Sequence, residues 1–343
     1  MNARNDSGRR GRWKNALLLL SSLCIALALA ELSVRAFVSV RDVGPLFTVN
    51  DPFMGKRIKK NFHTVRVTPE FTMTFTSNSL GFRGPEPDSP AIDSVLFVGD
   101  SFTMGFGVSD GEEFPALIKA KLVATYGKSA ISVVNTGMGN NGNGRWIKLL
   151  KAEADQFKPR LVVLQVMAND YDDNVREGYF RVAGDGVLEE LPIRNNPLKD
   201  LEPLLDAIPG LSYSHLYGLV RQAMAGQSGG ADAMATSVQA AAATAGVGDA
   251  DRLTERLIAE SVAICRSKGY PVFAILVGLK GERLGRVQSL FQAQRIATFT
   301  VPDKAERPDL YFKIDGHWNA AGHRFVAHEV FEQMKSLQLI PAR

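Results

Sequence analysis

Four short polar segments carry the residue types that could together transfer an acyl group. Ser101 follows a short apolar run, and Asn169 follows a later one. Asp315 and His317 stand just before a helical pattern, and a glycine-containing loop covers residues 135–140. Segments that follow parallel strands meet at one edge of a sheet, where ligands bind. The sequence therefore predicts one site built from all four segments.

The side chains of Ser101, His317 and Asp315 suit nucleophilic catalysis. A serine hydroxyl is a poor nucleophile until a base removes its proton, and His317 could be that base. A carboxylate on the other ring nitrogen fixes the imidazole tautomer and stabilises the imidazolium, and Asp315 is the near candidate. Such a triad would attack an ester or a similarly activated carbonyl.

The tetrahedral intermediate of that reaction needs hydrogen-bond donors for its oxyanion. The candidates are the backbone N–H of Ser101, the loop amides of Gly139 and Asn140, and the side-chain amide of Asn169. Gly139 and Asn140 are adjacent, and the sequence does not decide which of their two backbone amides would face the oxyanion.

Some of these residues also have a structural interpretation. Asn169 and Asp170 could form a turn with side-chain-to-backbone hydrogen bonds, and Asn319 could be the N-cap of the last helix. Each segment is a weak signal by itself, and the order and combination of the four favour catalysis.

The sequence predicts no metal and no cofactor. Asp315, His317 and His323 could be metal ligands of a metal-dependent hydrolase, but their spacing does not place them on one helix face. The glycine-rich segment 99–107 lacks the lysine of a P-loop and the spacing of a dinucleotide fingerprint.

Fully apolar runs alternate with amphipathic helical patterns from residue 93 onward. This alternation predicts a parallel sheet covered on both faces, which is the α/β fold class with three layers, α/β/α. The predicted strands are 94–98, 131–134, 161–166, 272–277 and 297–301. The predicted helices are 112–126, 143–154, 253–267, 283–295 and 319–337.

The chain divides into parts of different composition. We predict a basic tail (1–14), an apolar signal-anchor segment (15–40), an extended β-rich lead-in (41–90) and an α/β domain (91–343). Strand-like alternation and three prolines support the lead-in and its boundary. The stretch at about 225–250 is rich in Gly, Ala and Ser, which predicts a flexible surface insertion.

The N-terminal segment predicts export. A charge-free run over 15–30 follows five basic residues and one acidic residue within 1–14. A helix from about Asn15 to Val34 has roughly the 20 residues needed to span a bilayer, with its basic end in the cytoplasm. The alternative is a signal peptide cleaved after Ala30. We favour a membrane anchor, and either route places the later residues outside the cytoplasm.

Charge excludes nucleic acid as a predicted partner. The chain has 40 basic and 36 acidic residues, and the first 14 residues account for the whole excess of four. The rest of the chain is neutral overall, whereas a nucleic-acid-binding surface requires a basic body.

The combined motifs resemble the SGNH/GDSL hydrolase family over roughly residues 78–337. The segment 98–102, Val-Gly-Asp-Ser-Phe, is similar to its first block, and Val-Asn-Thr-Gly at 134–137 to the start of its second. Ala-Asn-Asp at 168–170 is similar to the third block, and Asp-Gly-His at 315–317 to the fifth. The lead-in segment 80–84, Leu-Gly-Phe-Arg-Gly, resembles what precedes the first block in membrane-anchored members.

This resemblance implies a flavodoxin-like SGNH fold behind the N-terminal helix. It also implies that Ser101 is the nucleophile, Asn169 the oxyanion-hole asparagine and His317 the base. Three features depart from the family pattern. The glycine of the second block would align near Asn140, with Gly139 adjacent. Met167 stands where glycine is usual, and the fifth block is Asp-x-His, as in exported members that act on acylated polysaccharides.

The function predicted on this basis is an exported serine esterase of O-acyl esters. The resemblance implies a carbohydrate- or lipid-linked ester substrate, with O-acetyl as the expected acyl group. An O-acyltransferase with the same triad is the first alternative. A catalytically silent glycan-binding or assembly protein is the alternative from another class.

Overall fold

The computed structural model describes residues 4–38, 40, 43–88, 93–127, 131–193, 200–227 and 247–340. The helices are α1 (Arg4–Phe37), α2 (Ser101–Met104), α3 (Phe114–Tyr126), α4 (Gly144–Ala152), α5 (Asp170–Glu177), α6 (Glu202–Asp206), α7 (His215–Gln227), α8 (Val247–Ser267), α9 (Gly281–Ala293) and α10 (Ala320–Ser336). The strands are β1 (Thr48–Asp51), β2 (Gly55–Ile58), β3 (His63–Val67), β4 (Thr72–Thr76), β5 (Ser94–Val98), β6 (Ser132–Asn135), β7 (Pro159–Met167), β8 (Phe180–Val182), β9 (Leu188–Glu190), β10 (Val272–Val277) and β11 (Thr298–Thr300).

A five-stranded parallel sheet of order β11-β10-β7-β5-β6 forms the centre of the α/β part. All five residues of β5 are buried, which explains why that strand is apolar without alternation. The strand order places β6 on one side of β5 and β7 on the other. The chain therefore reverses its direction of winding at β5 and β7, and a crevice opens beyond the carboxyl ends of these two strands.

Helices cover both faces of the sheet, and each face has its own apolar core. On one face α4, α8 and α9 bury residues such as Trp146, Ile258 and Phe291. On the other face α3 and α10 bury residues such as Phe114 and Val330. The predicted three-layer α/β/α fold is confirmed, with its strands and helices close to the predicted ranges.

The lead-in consists of two antiparallel hairpins, β1–β2 and β3–β4. Strands β3 and β4 follow the alternation expected from the sequence, with Met73 and Phe75 buried beside Met104 and Met138 of the α/β part. Hairpin β1–β2 turns at Gly55, where a positive φ of 77° and the ring of Tyr179 leave no room for a Cβ atom. The lead-in therefore packs against the α/β part.

The N-terminal helix α1 is long and apolar. Residues Arg12–Phe37 have the length and hydropathy of a membrane-crossing helix, and nearly all of their surface is free of contact with the rest of the chain. Residues 4–14, predicted as a tail, continue the same helix.

The predicted flexible insertion at about 225–250 is only partly within the described structure. Residues 225–227 end α7 and residues 247–250 begin α8. Residues 228–246 lie outside the described residues, so the insertion stays a prediction.

Candidate active site

Ser101 lies at the carboxyl end of β5, where the chain turns into the short helix α2. The carboxylate of Asp100 caps this helix by accepting a hydrogen bond from Phe102 N–H at 2.9 Å. The hydroxyl oxygen of Ser101 is 2.8 Å from Nε2 of His317, across 216 residues of sequence. This is the distance at which a histidine can take the hydroxyl proton.

The carboxylate of Asp315 bonds Nδ1 of the same imidazole. Gly316 between them has a φ of 88°, a conformation that side chains rarely adopt, and this turn brings Asp315 back onto the ring. Burial opposes ionisation of Asp315, but the hydrogen bond and the charge of His317 hold the pKa of its carboxyl below the ordinary value. The imidazole thus has a hydroxyl on one nitrogen and a carboxylate on the other.

The loop after β6 lies beside Ser101. A Cβ atom added to Gly139 would stand 3.6 Å from the Cβ atom of Ser101. The carbonyl oxygens of Gly139 and Asn140 both accept hydrogen bonds from the ammonium group of Lys56 on β2. Within the described part of the chain neither residue donates its backbone N–H to another backbone group, so either amide could donate to an oxyanion.

Asn169 lies beyond the carboxyl end of β7, at the start of α5. Its Nδ2 donates to the carboxylate of Asp173 at 3.0 Å, which orients the amide. An amide nitrogen carries two hydrogens, so the second is available to an oxyanion. Sequence reasoning named Asn169 but gave no orienting partner; Asp173 stands one helical turn further on.

Two buried carboxyl groups lie beneath these residues. Asp170 accepts hydrogen bonds from Met167 N–H at 2.9 Å and from the side-chain amide of Asn143 at 2.8 Å. Burial raises the pKa of Asp170 well above its ordinary value, and burial raises the pKa of Asp100 to about 6. Asp170 ties the β7–α5 turn to the start of α4 and so supports the position of Asn169.

The segment carrying Asp315 is held by the lead-in. One carboxylate oxygen of Glu70, from the turn between β3 and β4, accepts hydrogen bonds from the N–H groups of Ile314 at 2.8 Å and Asp315 at 2.6 Å. The ring of neighbouring Phe71 packs against Phe312 at 4.8 Å between centroids. The lead-in therefore positions the acid–base segment directly.

Arg83 holds the segment that follows Ser101. Its guanidinium group is buried and donates to the carbonyl oxygens of Met104, Gly105 and Val108 at 3.1, 2.5 and 2.7 Å. It also contacts the carboxylate of Asp110 at 3.2 Å.

Arg83, Lys56 and Glu70 thus contact three of the four site segments, and sequence reasoning assigned none of them a role. Arg83 stands in the quoted segment 80–84, which was a usable signal, whereas nothing in the sequence near Lys56 or Glu70 marks their distant partners.

Asn319 and His323 each have a structural role. Asn319 is the N-cap of α10, since its side-chain oxygen accepts from Ala321 N–H at 2.9 Å and Gly322 N–H at 3.1 Å. His323 is buried and its Nδ1 accepts from Phe114 N–H at 3.2 Å. Within the described residues no group of three or more His, Cys, Asp or Glu could hold a metal ion.

The sheet order, together with a serine, a histidine and an asparagine at its carboxyl edge, defines a parallel-sheet ester hydrolase. The GDSL-like Lipase/Acylhydrolase family matches residues 97–325, about two thirds of the chain. The chain belongs to this family, and the resemblance inferred from its motifs is confirmed.

Solved structures of related fold include a structure described as TesA, with 15% identity and a TM-score of 0.42 over 71% of this chain and 99% of that one. A variant of Axe2, an acetyl-xylooligosaccharide esterase from Geobacillus stearothermophilus, has 14% identity and a TM-score of 0.42 over 73% and 97%. A two-domain esterase active on acetylated mannans has 11% identity and a TM-score of 0.42 over 73% and 51%. No curated protein matches the chain.

Proposed function

We propose that this ester hydrolase is an exported serine esterase of O-acyl esters, with Ser101 as nucleophile, His317 as general base and Asp315 as its orienting acid. One observation carries the proposal. The imidazole of His317 stands 2.8 Å from the Ser101 hydroxyl and holds the Asp315 carboxylate on its other nitrogen. This is the arrangement that raises the nucleophilicity of a serine.

The reaction proceeds in two halves. His317 takes the hydroxyl proton while Ser101 Oγ bonds to the ester carbonyl carbon, and the oxyanion accepts hydrogen bonds from Ser101 N–H, the Gly139–Asn140 loop and Asn169. Collapse breaks the bond to the alkoxy oxygen, which receives the proton from His317 and leaves as an alcohol. Water then attacks the acyl-serine with the same base, which releases a carboxylic acid and restores Ser101.

We propose a short acyl group, with acetyl as the first choice. The side chain of Met167, where the family pattern has glycine, ends β7 two residues before Asn169 and is half-buried. The thioether side chain of Met167 would occupy space that a long acyl chain needs. Hydrolysis of p-nitrophenyl acetate should exceed that of the octanoate, and Met167→Gly should narrow this difference. An octanoate preference in the unmodified chain would contradict the short-acyl proposal.

Labelling with a fluorophosphonate tests the triad itself. The full chain should react at Ser101, as mapped by peptide mass spectrometry, and Ser101→Ala should abolish the labelling. Ser79→Ala is the matched control, because that hydroxyl bonds Glu86 away from the site. Absence of labelling in a folded chain would favour the silent glycan-binding alternative.

Export with a retained anchor is the proposed location. What supports it is α1, a helix of spanning length whose apolar side chains are exposed. A reporter that works only outside the cytoplasm, fused after Arg343, should give signal, and the protein should sediment with membranes. A soluble product beginning at Glu31 would instead mean that a signal peptide had been cleaved.

A further inference from the structure

The end of α1 is joined to the body of the protein by a half-buried polar contact. The carboxylate of Glu31 accepts hydrogen bonds from Ser214 Oγ at 2.7 Å and from His215 N–H and Leu216 N–H, each at 2.9 Å. Glu31 therefore caps the N-terminus of the 13-residue helix α7. The cap fixes α7 to α1 at the first charged residue after the apolar run.

Apolar side chains also pack between α7 and the chain that follows Glu31. Val34, Val40 and Val43 are buried together, and Leu216 and Leu219 of α7 pack against them. Because the charge-free run 15–30 ends immediately before Glu31, a membrane containing that run has its outer boundary close to this joint. With α1 as an anchor, the start of α7 and the segment before it would lie at the lipid boundary.

The segment before α7 carries an unusually apolar exposed surface. We define the 201–213 surface by Leu201, Leu204, Ile208 and Tyr213, all of which are exposed. Leu204 is 68% exposed and Ile208 50% exposed. Leu201 and Leu204 are three residues apart at the start of α6, which places them on one side of that helix, and Ile208 follows in the turn after it. Clusters of this kind on a protein surface mark a contact with a partner or a membrane.

Two carboxylates at this segment contact the protein body. Asp206 pairs with Lys59 at 2.5 Å and accepts from Ser212 Oγ at 2.9 Å. Asp200 accepts from Asn50 Nδ2 at 2.7 Å. The lead-in thus holds the carboxylates of Asp200 and Asp206, while the large apolar side chains of the 201–213 surface remain exposed.

We propose that the 201–213 surface lies in the lipid–water interface beside α1 and holds the enzyme against the membrane at a second point. The proposal rests on the proposed anchor, with which this surface is continuous through Ser214 and the Glu31 cap. Apolar side chains of an interfacial segment enter the boundary between headgroups and acyl chains, and a tyrosine suits that depth.

This arrangement brings the catalytic edge close to the lipid surface. Asn50, which contacts Asp200, is the cross-strand partner of Lys56, which contacts the Gly139–Asn140 loop. One strand spacing, about 5 Å, thus separates the residue that holds the surface from the residue that holds the oxyanion loop. The substrates favoured are esters on lipid-linked carriers or on glycans at the membrane face.

Lipid quenching of single fluorophores tests the proposal on the full chain in nanodiscs. The native Cys24 lies exposed within α1 and reports on the anchor, whereas Cys265 is buried and burial raises the pKa of its thiol to about 12, so it stays unlabelled. In a Cys24→Ser background, Leu204→Cys and Ile208→Cys probe the 201–213 surface. Leu337→Cys is the matched control, exposed after the last helix at the opposite edge of the sheet.

Brominated lipids should quench most of the fluorescence at positions 24, 204 and 208 and little at position 337. Each variant must retain hydrolysis of p-nitrophenyl acetate, which shows that it folds. Quenching at 24 with none at 204 and 208 would overturn the second contact and leave the anchor standing. No quenching at 24 would overturn the anchor and this proposal with it.

Discussion

The two sides of the catalytic edge are supported in different ways. Ser101 and Asn169 follow buried strands and rest on the buried carboxyl groups of Asp100 and Asp170. His317 and Asp315 stand on an exposed segment, where neighbouring Ile314 is 81% exposed, and Glu70 holds that segment from 244 residues earlier in the chain. The sheet places the nucleophile, and Arg83 of the lead-in holds the segment after it. The segment of the base stands outside the sheet and is held by Glu70 of the lead-in, which lies outside the matched family region.

The largest expected effect is on the sheet side. Ser101→Ala should lower kcat for p-nitrophenyl acetate by roughly 10⁴- to 10⁶-fold, because only oxyanion and binding effects remain without the nucleophile. The melting temperature should not change, since the hydroxyl bonds only His317 among the described contacts. Unchanged hydrolysis in this variant would refute the triad.

The next effect is on the side held by the lead-in. Asp315→Asn should lower kcat by roughly 10³- to 10⁴-fold, because an amide favours the wrong imidazole tautomer. Fluorophosphonate labelling of Ser101 should slow by a similar factor. A mild loss would mean that another carboxylate orients His317, and Glu70 would then be the first to examine.

Asn169→Ala returns to the sheet side and should lower kcat by roughly 10²- to 10³-fold with little change in KM. The amide donates to charge that exists mainly in the transition state. Steady-state kinetics with the acetate ester separates the two parameters. A change confined to KM would make Asn169 a substrate-binding residue.

Glu70→Ala tests how far the lead-in supports the base, because Glu70 holds the segment of His317 without touching the reacting atoms. Loss of its bonds to Ile314 and Asp315 should displace His317 and lower kcat by roughly 10- to 100-fold with KM nearly unchanged. Glu70→Gln keeps an acceptor oxygen and should restore most of the activity.

Glu86→Ala is the control for this position, since that carboxylate bonds Ser79 away from the site. Equal losses in Glu70→Ala and Glu70→Gln, with a lowered melting temperature in both, would indicate a general structural role for Glu70.

The smallest effect on activity is expected from a substitution of His323, and its main effect should be on folding stability. Burial lowers the pKa of His323 from 6.5 to about 3. As the pH falls below 6.5, the His323 imidazole therefore binds a proton in the unfolded chain but stays neutral in the folded chain. Folding stability should decline toward pH 3 by up to roughly 5 kcal/mol from this residue alone.

His323→Asn retains an acceptor for Phe114 N–H and should flatten that decline, with activity at neutral pH near normal. Urea unfolding at several pH values measures the slope. An identical slope in the variant would assign the acid sensitivity to other groups.

Much of the α/β part was predictable because local patterns determine it. Apolar runs such as 94–98 and 272–277 identify strands, and the chain order of the polar segments after them placed Ser101, Asn169 and His317 at one edge. The individual strands of hairpin β1–β2 were not singled out within the extended lead-in, because Thr48–Asp51 and Gly55–Ile58 show no regular alternation of apolar and polar residues.

The supporting contacts were not predictable for a different reason. Glu70 meets Asp315 across 245 residues and Lys56 meets Gly139 across 83, and no local periodicity reports such distant pairs. Their partners are backbone groups as well, so neither side of the contact shows a characteristic residue type.

The sequence separation of the catalytic pair has a consequence for biogenesis. Ser101 leaves the ribosome, and by the proposed export reaches the far side of the membrane, long before His317, which follows 216 residues later. Chains fold from the N-terminus during synthesis, and distant contacts carry the larger loop-closure entropy and form late. The unfinished chain therefore carries Ser101 without its base. Hydrolytic activity arises only when the segment of Asp315 and His317 packs against the lead-in.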